Sequence, residues 1–148
     1  MCLIDIRPLD IDIPGLEFVQ CDATTLDTIE DGSLISLSAL CSLEHFGLGR
    51  YGDPIDPEAC FICFSAIERK LVLDGVAYIS VPVGYEHVEF NAHRVFAPTT
   101  IINAFPKCKL LEFSVTDGSG LKHDVSPQKY EQGGDGASIF GFFVFQKR

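Results

Sequence analysis

Two aspartates stand where predicted strands end. Asp5 closes a short apolar run over residues 2–6, and Asp22 follows residues 16–20, which alternate between apolar and polar positions as a strand does. Ligands of open α/β sheets bind beyond the carboxyl ends of the strands, where a carboxylate can accept hydrogen bonds from ribose hydroxyls or an amino group. Asp5 and Asp22 are therefore candidates for a ligand site. The alternative is a turn aspartate that bonds only local backbone N–H groups.

A glutamate and a histidine, Glu44 and His45, follow the apolar segment 34–41. That segment is short and bounded by turn residues, which predicts a buried strand. Imidazole titrates near neutrality, so His45 could take a proton from the hydroxyl or amine of an acceptor molecule. The alternative is a histidine that is held by hydrogen bonds and only orients the loop.

Two predicted loops carry further polar side chains. In the first, over residues 42–55, substrate contact and turn structure explain the composition equally well. The second, over residues 84–97, follows a predicted strand, and its amide, imidazole and guanidinium groups suit a polar, anionic substrate, with a structured loop as the alternative. The candidate residues are Arg50, Tyr51 and Asp53 in the first loop and Asn91, His93 and Arg94 in the second.

The pair Cys60 and Cys63 has a spacing that is found in redox and zinc motifs. Both cysteines lie on the apolar stripe of a predicted helix that starts at Asp56-Pro57, and no second Cys/His pair has ligand spacing. The pattern therefore favours core packing, and we expect no metal site.

The predicted elements alternate between strands and helices, which indicates a mostly parallel sheet with helices on its faces. No helix separates the last two strands, so we expect them to be antiparallel neighbours. The polar segment 117–136 between them looks too long for a tight hairpin. The predicted strands are 2–6, 16–20, 34–41, 76–83, 109–115 and 138–146, and the predicted helices run from Asp56-Pro57 to Asp74-Gly75 and from about Pro98 to Phe105.

Length and charge exclude several classes of protein. The 148 residues suffice for one domain, 1–148, and a net charge of −10 without a Lys/Arg cluster argues against nucleic acids and anionic membranes as partners. The apolar runs fall far short of the ~20 residues that span a bilayer, and residues 1–7 have no secretion signal. We therefore expect a cytoplasmic protein whose six cysteines are reduced thiols.

The element order and several residues resemble the class I S-adenosylmethionine-dependent methyltransferases from their second strand onward. The resemblance implies that Asp5 bonds the ribose of S-adenosylmethionine and that Asp22 and Ala23 lie near its adenine. Leu43-Glu44-His45 corresponds to the segment after the family's fourth strand. The implied fold is α/β, a Rossmann-like sheet with an antiparallel C-terminal strand pair.

Three longer stretches are similar to a narrower family, the uncharacterised "domain of unknown function 268" group of bacteria and nematodes. They read LEHFGLGRYGDPIDP over residues 43–57, ISVPVG over 79–84 and FNAHRVF over 90–96. That family is methyltransferase-like and often associated with surface-polysaccharide gene sets, which implies a small molecule or a glycan as substrate. The predicted substrate-binding residues are Glu44, Arg50, Tyr51, Asn91 and Arg94, and the candidate catalytic residues are His45 and His93.

The chain departs from the methyltransferase pattern at its start. Methyltransferases carry a Gly-x-Gly loop after the first strand, because a side chain would block the approach of the backbone to the cofactor. Here Met1 directly precedes the segment that resembles the second strand. We therefore expect an N-terminally truncated product or a gene model that begins late, in which the sheet lacks its first strand and Gly-rich loop. Open edges along residues 2–6 and 34–41 would then pair directly, stay apart or recruit a second chain, and we expect self-association through this gap.

Three hypotheses of function follow. The first is an S-adenosylmethionine-dependent methyltransferase-like protein acting on a small molecule or a glycan, inactive or impaired here because cofactor binding is weak or lost. The second is a non-catalytic remnant or a binding or interaction module. A nucleotide-sugar-binding Rossmann-like enzyme is the weaker third, because an antiparallel final pair suits methyltransferases better.

Overall fold

A computed structural model of the chain describes residues 1–10, 12–133 and 138–148. The described residues form nine strands and two α-helices. The strands are β1 (Cys2–Asp5), β2 (Glu17–Gln20), β3 (Leu34–Leu40), β4 (Leu71–Pro82), β5 (His87–Val88), β6 (Arg94–Val95), β7 (Cys108–Asp117), β8 (Gly120–Lys122) and β9 (Phe140–Lys147), and the helices are α1 (Ala59–Lys70) and α2 (Pro98–Asn103).

Five strands form the central sheet in the order β3-β4-β9-β7-β8. β3 and β4 run parallel, and β9 lies antiparallel to both β4 and β7, so that β3, β4 and β7 point the same way. β1 and β2 form a separate parallel pair, and β5 and β6 form a small antiparallel hairpin. The antiparallel pairing of the last two predicted strands is thereby confirmed as β7 with β9.

The core lies between α1 and one face of the sheet. The predicted apolar stripe of α1 is confirmed, because every one of its residues is at most 2% exposed. Phenylalanines from other elements complete this core, and the rings of Phe105 and Phe145 stack with centroids 4.5 Å apart. The stripe consists of Cys60, Cys63, Phe64 and Ile67, followed by Leu71 at the start of β4.

The helix α1 begins at Ala59, two residues later than the sequence predicts. The Asp56 carboxylate accepts the backbone N–H of Glu58 at 2.9 Å, and this bond forms a turn ahead of the helix. At its other end, α1 passes directly into β4 at Leu71. The predicted turn at Asp74-Gly75 is instead an irregularity within β4, where the register with β3 shifts. A Cβ added at Gly75 would lie 3.0 Å from a carbonyl oxygen of β3, so the strands approach closely there.

The strand predicted over residues 34–41 is confirmed as β3, but the prediction that it is buried is wrong. Ile35 and Leu40 are 79% and 61% exposed. Among the described strands, β3 pairs only with β4 and β1 pairs only with β2, so each has an open edge. β1 and β3 do not pair with each other. The gap between the two described sheets therefore stays open, and Ile35 and Leu40 remain in solvent, whereas Leu34, Leu37 and Ala39 are partly buried against the core.

The segment between β7 and β9 is not itself a tight hairpin, as predicted for residues 117–136, but it contains a short strand, β8, that was not predicted. β8 pairs antiparallel with β7, and Asp117 pairs with Gly120 across a turn of two residues. The Asp117 carboxylate fixes this turn by accepting the backbone N–H of Ser119 at 2.9 Å and its hydroxyl at 2.6 Å. Residues 134–137 of the predicted segment lie outside the described residues.

The two cysteines of α1 are packing residues in this structure. Burial raises the pKa of the Cys63 thiol to about 12, so it stays protonated at neutral pH. We expect Cys60→Ala and Cys63→Ala each to lower the free energy of unfolding by about 1 kcal/mol, which is typical of deleting one buried apolar atom. Urea unfolding would measure this, with the exposed Cys2→Ala as the control. Stoichiometric zinc that is lost from either variant would contradict this role.

Candidate functional site

Two loops that follow β3 and β4 are fastened to each other by one carbonyl group. The loop 43–57 starts with a 3₁₀ turn, Leu43–His45, and the loop 84–97 contains the β5–β6 hairpin. His45 Nδ1 lies 2.9 Å from the Ala92 carbonyl oxygen, and Arg50 Nη1 donates to the same oxygen at 2.7 Å. The candidate residues of both predicted loops are thus brought together at one edge of the sheet.

Arg94 also joins the two loops, but here the loop 84–97 supplies the donor and the other loop supplies the carbonyl groups. Its guanidinium donates to the carbonyl oxygens of Phe46 and Pro57, and the residue is only 7% exposed. Close packing at Gly47 supports this contact, because an added Cβ would lie 1.8 Å from the Asp56 carbonyl oxygen. Arg94 was predicted to bind substrate, whereas in the structure its described hydrogen bonds hold the loop 43–57 in place.

His45 lies at the centre of the assembled loops. Its ring contacts those of Tyr51 and His93 edge to face, with centroid distances of 5.4 and 6.1 Å. A carbonyl oxygen only accepts hydrogen bonds, so the contact with Ala92 requires a proton on Nδ1 and leaves Nε2 as the acceptor of the neutral ring. Burial lowers the pKa of His45, and the nearby Arg50 and His93 lower it further. The geometry therefore provides a neutral imidazole with a free lone pair.

Glu44 is buried beside this histidine. The residue is 2% exposed, and its Oε1 lies 3.8 Å from His45 Nε2. Its Oε2 is buried and has no hydrogen-bond partner among the described residues. Burial raises the pKa of Glu44 to about 7, because an ionised carboxylate there would lack solvation. The predicted substrate-binding role of Glu44 would require a ligand to reach a side chain that is almost inaccessible.

Backbone geometry accounts for two further polar residues of the loops. The Asp53 carboxylate accepts the backbone N–H groups of Gly49 at 3.2 Å and Tyr51 at 3.1 Å, as a turn aspartate does. Asn91 has a φ of 53°, a left-handed conformation that asparagine tolerates better than most residues. This turn presents the Ala92 carbonyl oxygen to His45.

Arg7 links the β1–β2 pair to this site, a contact that the sequence analysis missed. Its guanidinium carbon lies 5.2 Å from the centroid of the Tyr51 ring, and the Arg50 guanidinium lies 5.6 Å from the same centroid. Arg7 also forms an ion pair with Asp5 at 2.7 Å. A basic residue two positions after a strand-end aspartate is the signal that could have identified it.

The two aspartates predicted to bind cofactor are both engaged by neighbouring residues. Asp5 Oδ1 accepts the backbone N–H and the Nε–H of Arg7, each at 2.9 Å, and Oδ2 accepts its Nη2–H. Asp22 Oδ1 accepts the backbone N–H of Thr24 at 2.8 Å and its hydroxyl at 2.6 Å. The Ala23 carbonyl oxygen accepts the thiol of Cys63 at 3.3 Å. These contacts match the alternative of local turn structure.

Comparison with known proteins identifies both a family and a fold. A family model described as "Caenorhabditis protein of unknown function, DUF268" matches residues 30–125. No curated protein matches the chain. The similar solved structures include an N1-methyltransferase of 1,6-didemethyltoxoflavin from Burkholderia thailandensis, which has 1,6-didemethyltoxoflavin and S-adenosylhomocysteine bound. It is 15% identical with a TM-score of 0.62, and the match covers 99% of this chain and 60% of that one.

Two further structures define what this likeness means. An S-adenosylmethionine-dependent methyltransferase from Methanosarcina mazei has a TM-score of 0.59 at 11% identity, with 89% of this chain and 67% of that one covered. The [4+2]-cyclase SpnF has a TM-score of 0.58 at 13% identity, with 89% and 56% covered. The predicted α/β methyltransferase-like fold is thereby confirmed. Identities this low establish the fold alone, and the cyclase illustrates that one fold hosts several reactions.

The described residues do not fit a complete S-adenosylmethionine. Both oxygens of Asp5 are bonded to Arg7, and Asp22 is bonded to Thr24. In the part of the chain that the structure describes, no glycine-rich loop joins a strand to a helix beside β1. The residues at the ends of β1 and β2, as the structure describes them, therefore do not form a complete site for this cofactor.

Proposed function

Because the chain belongs to the family described as "Caenorhabditis protein of unknown function, DUF268" and has a methyltransferase-like fold, we propose that it is methyltransferase-like and acts on a small molecule or a glycan. We propose further that these 148 residues bind S-adenosylmethionine weakly or not at all. The observation that carries the proposal is the junction of the two loops at Ala92, which brings His45, Tyr51 and His93 together. This junction lies beyond the ends of β3 and β4, where α/β sheets bind ligands.

The acceptor molecule would lose its proton to His45. Its Nε2 carries the lone pair of the neutral ring, and a hydroxyl or amine in hydrogen-bond contact with it could transfer its proton to this nitrogen. The lowered pKa of His45 keeps this nitrogen unprotonated near neutrality. Many methyl transfers need only two well-positioned reactants. Proton transfer to His45 would therefore add to a rate that depends mainly on how the reactants are positioned.

The remaining loop residues would bind and position the acceptor. Arg50 and Tyr51 present a guanidinium and an aromatic face, and the ring of His93 completes the group around His45. Planar aromatic faces and charged hydrogen-bond donors are common in sites that bind polar ring compounds. Sugars and small heterocycles both have this chemistry.

A non-catalytic binding or interaction module is the second candidate. The observation that favours it is the occupation of Asp5 by Arg7 and of Asp22 by Thr24, which leaves the predicted cofactor positions engaged.

The proposed compartment is the cytoplasm, where six unpaired thiols would persist. No helix among the described residues is both long enough and apolar enough to cross a membrane.

Calorimetric and NMR titration with S-adenosylhomocysteine tests the proposal. We expect the 148-residue chain to bind it no more tightly than about 100 μM, since the described residues include no glycine-rich loop beside β1. We expect Asp5→Ala to weaken this binding and His93→Ala to leave it unchanged, because only Asp5 stands at the predicted ribose position. A low-micromolar dissociation constant for this chain, or equal effects of the two substitutions, would contradict the assignment.

A further inference from the structure

Arg7 occupies the carboxylate that a ribose would need. Three donors of this one residue, its backbone N–H, Nε–H and Nη2–H, bond the two oxygens of Asp5 at 2.7 to 2.9 Å. A carboxylate offers about four acceptor positions, so three of the four are filled. A vicinal diol donates two hydrogen bonds and would need one more position than remains.

The side chain of Arg7 is held from both sides but is not buried. The Asp5 carboxylate forms an ion pair with the guanidinium, and the centroid of the Tyr51 ring lies 5.2 Å from the guanidinium carbon. The Arg7 side chain is 54% exposed and that of Asp5 is 21% exposed. Exposed ion pairs of this type contribute little to stability, so the contact can open at a small cost in free energy.

We propose that Arg7 is an internal competitor for Asp5, so that a ligand with a vicinal diol binds the carboxylate only after the Arg7 side chain has moved away. The inference rests on the proposed function, since it takes the ligand to be a ribose-containing one. The Arg7 side chain thus blocks the Asp5 carboxylate. The free energy needed to move Arg7 away is subtracted from the binding free energy of the ligand. The backbone N–H of Arg7 stays in place in this exchange, because it belongs to the turn that follows β1.

Removal of the competitor should strengthen binding. We expect Arg7→Ala to bind adenosine about three- to fivefold more tightly than the unchanged chain, because the ligand no longer has to break the exposed ion pair between Arg7 and Asp5, which costs little free energy. NMR titration with adenosine up to its solubility limit would measure the ratio. The matched ligand 2′,3′-dideoxyadenosine lacks the diol and should bind both proteins equally. Adding Asp5→Asn to Arg7→Ala should remove the gain.

Arg69→Ala is the control variant. Arg69 pairs with Asp31 at 3.1 Å and is similarly exposed, at 47%, so its removal alters net charge equally but leaves Asp5 untouched.

A readout without ligand is the pKa of Asp5, which Arg7 holds below its usual value and which should rise in Arg7→Ala. Unchanged or weaker adenosine binding by Arg7→Ala, with the unchanged chain still binding, would overturn this inference alone. An absence of adenosine binding to both proteins would also overturn this inference, whereas the proposed weak or absent binding of S-adenosylmethionine would stand.

Discussion

The variant Glu44→Gln should be more stable than the unchanged chain at alkaline pH and equally stable at acidic pH. The folded state holds the proton of Glu44 up to about pH 7, whereas the ordinary pKa is 4.5. Between these values the folded chain binds one more proton than the unfolded chain, so stability falls as pH rises through this window. The loss amounts to roughly 3 kcal/mol by pH 8, since one pKa unit corresponds to about 1.4 kcal/mol. Glutamine cannot ionise, so the variant avoids this loss.

Urea unfolding of both proteins at several values between about pH 5 and pH 8 would measure the difference. The difference curve is the informative quantity, because titrating groups that lie away from Glu44 affect both proteins alike. Glu30→Gln, an exposed glutamate replaced in the same way, is the matched control and should produce a flat difference curve. A flat curve for Glu44→Gln as well would mean that the Glu44 carboxyl is solvated or paired in solution.

The same titration bears on the proposed base. Glu44 Oε1 lies 3.8 Å from the Nε2 atom of His45 that we expect to accept a proton. Ionisation of Glu44 above neutrality would place a negative charge beside His45 and favour its protonated form. The two groups are therefore coupled, and the neutral state of both is the one in which His45 can act as a base.

A second large effect is expected at the open edge of β3. We propose that the chain associates with a second copy of itself through the gap between β1 and β3. Both strands have unpaired edges among the described strands, and residues 34–40 contain neither a charged residue nor proline to discourage pairing. An open concavity of about 410 Å³ adjoins this edge, and its lining includes Leu40, Tyr78 and Phe142. The residues that line this concavity belong to β3, β4 and β9 of the central sheet.

Lysine at the edge should abolish this association. In sedimentation, we expect the unchanged chain to have about twice the monomer mass at high micromolar concentration, and Ile35→Lys and Leu40→Lys to stay monomeric. Both side chains are mostly exposed, so the fold should tolerate the charge. Phe90→Lys, at a fully exposed residue outside β3, makes the same change in charge and should still associate. An unchanged chain that is a clean monomer at high concentration and unfolds cooperatively at a high temperature would contradict the proposal.

The sequence alone determined the elements whose pattern depends on burial. The stripe through Cys60, Cys63 and Phe64 was predictable because an apolar period of 3.6 residues has one main structural solution. The antiparallel pairing of β7 with β9 followed from the missing helix between them. The fold class was also predictable, since the order of strands and helices restricts the number of possible topologies.

Local chemistry was harder to predict where two conformations suit the same residues. Asp74-Gly75 was interpreted as a helix end but lies in an irregular strand pairing, and Asp117 forms a tight turn within a segment interpreted as a long loop. In both cases the residues are typical of turns in general, and only the register of the neighbouring strand selects which turn forms.

Only the tertiary structure decided what the polar residues do. The sequence placed His45 and Arg94 in loops, but their partners are carbonyl groups 47 and 48 residues away along the chain, and a backbone carbonyl has no signature in a sequence. The exposure of β3 likewise depends on which strands flank it, and the pairing of Asp5 with Arg7 depends on the turn after β1. The order of apolar and polar residues along the chain predicts helices and strands. Hydrogen-bond partners depend instead on distances that exist only once the chain has folded.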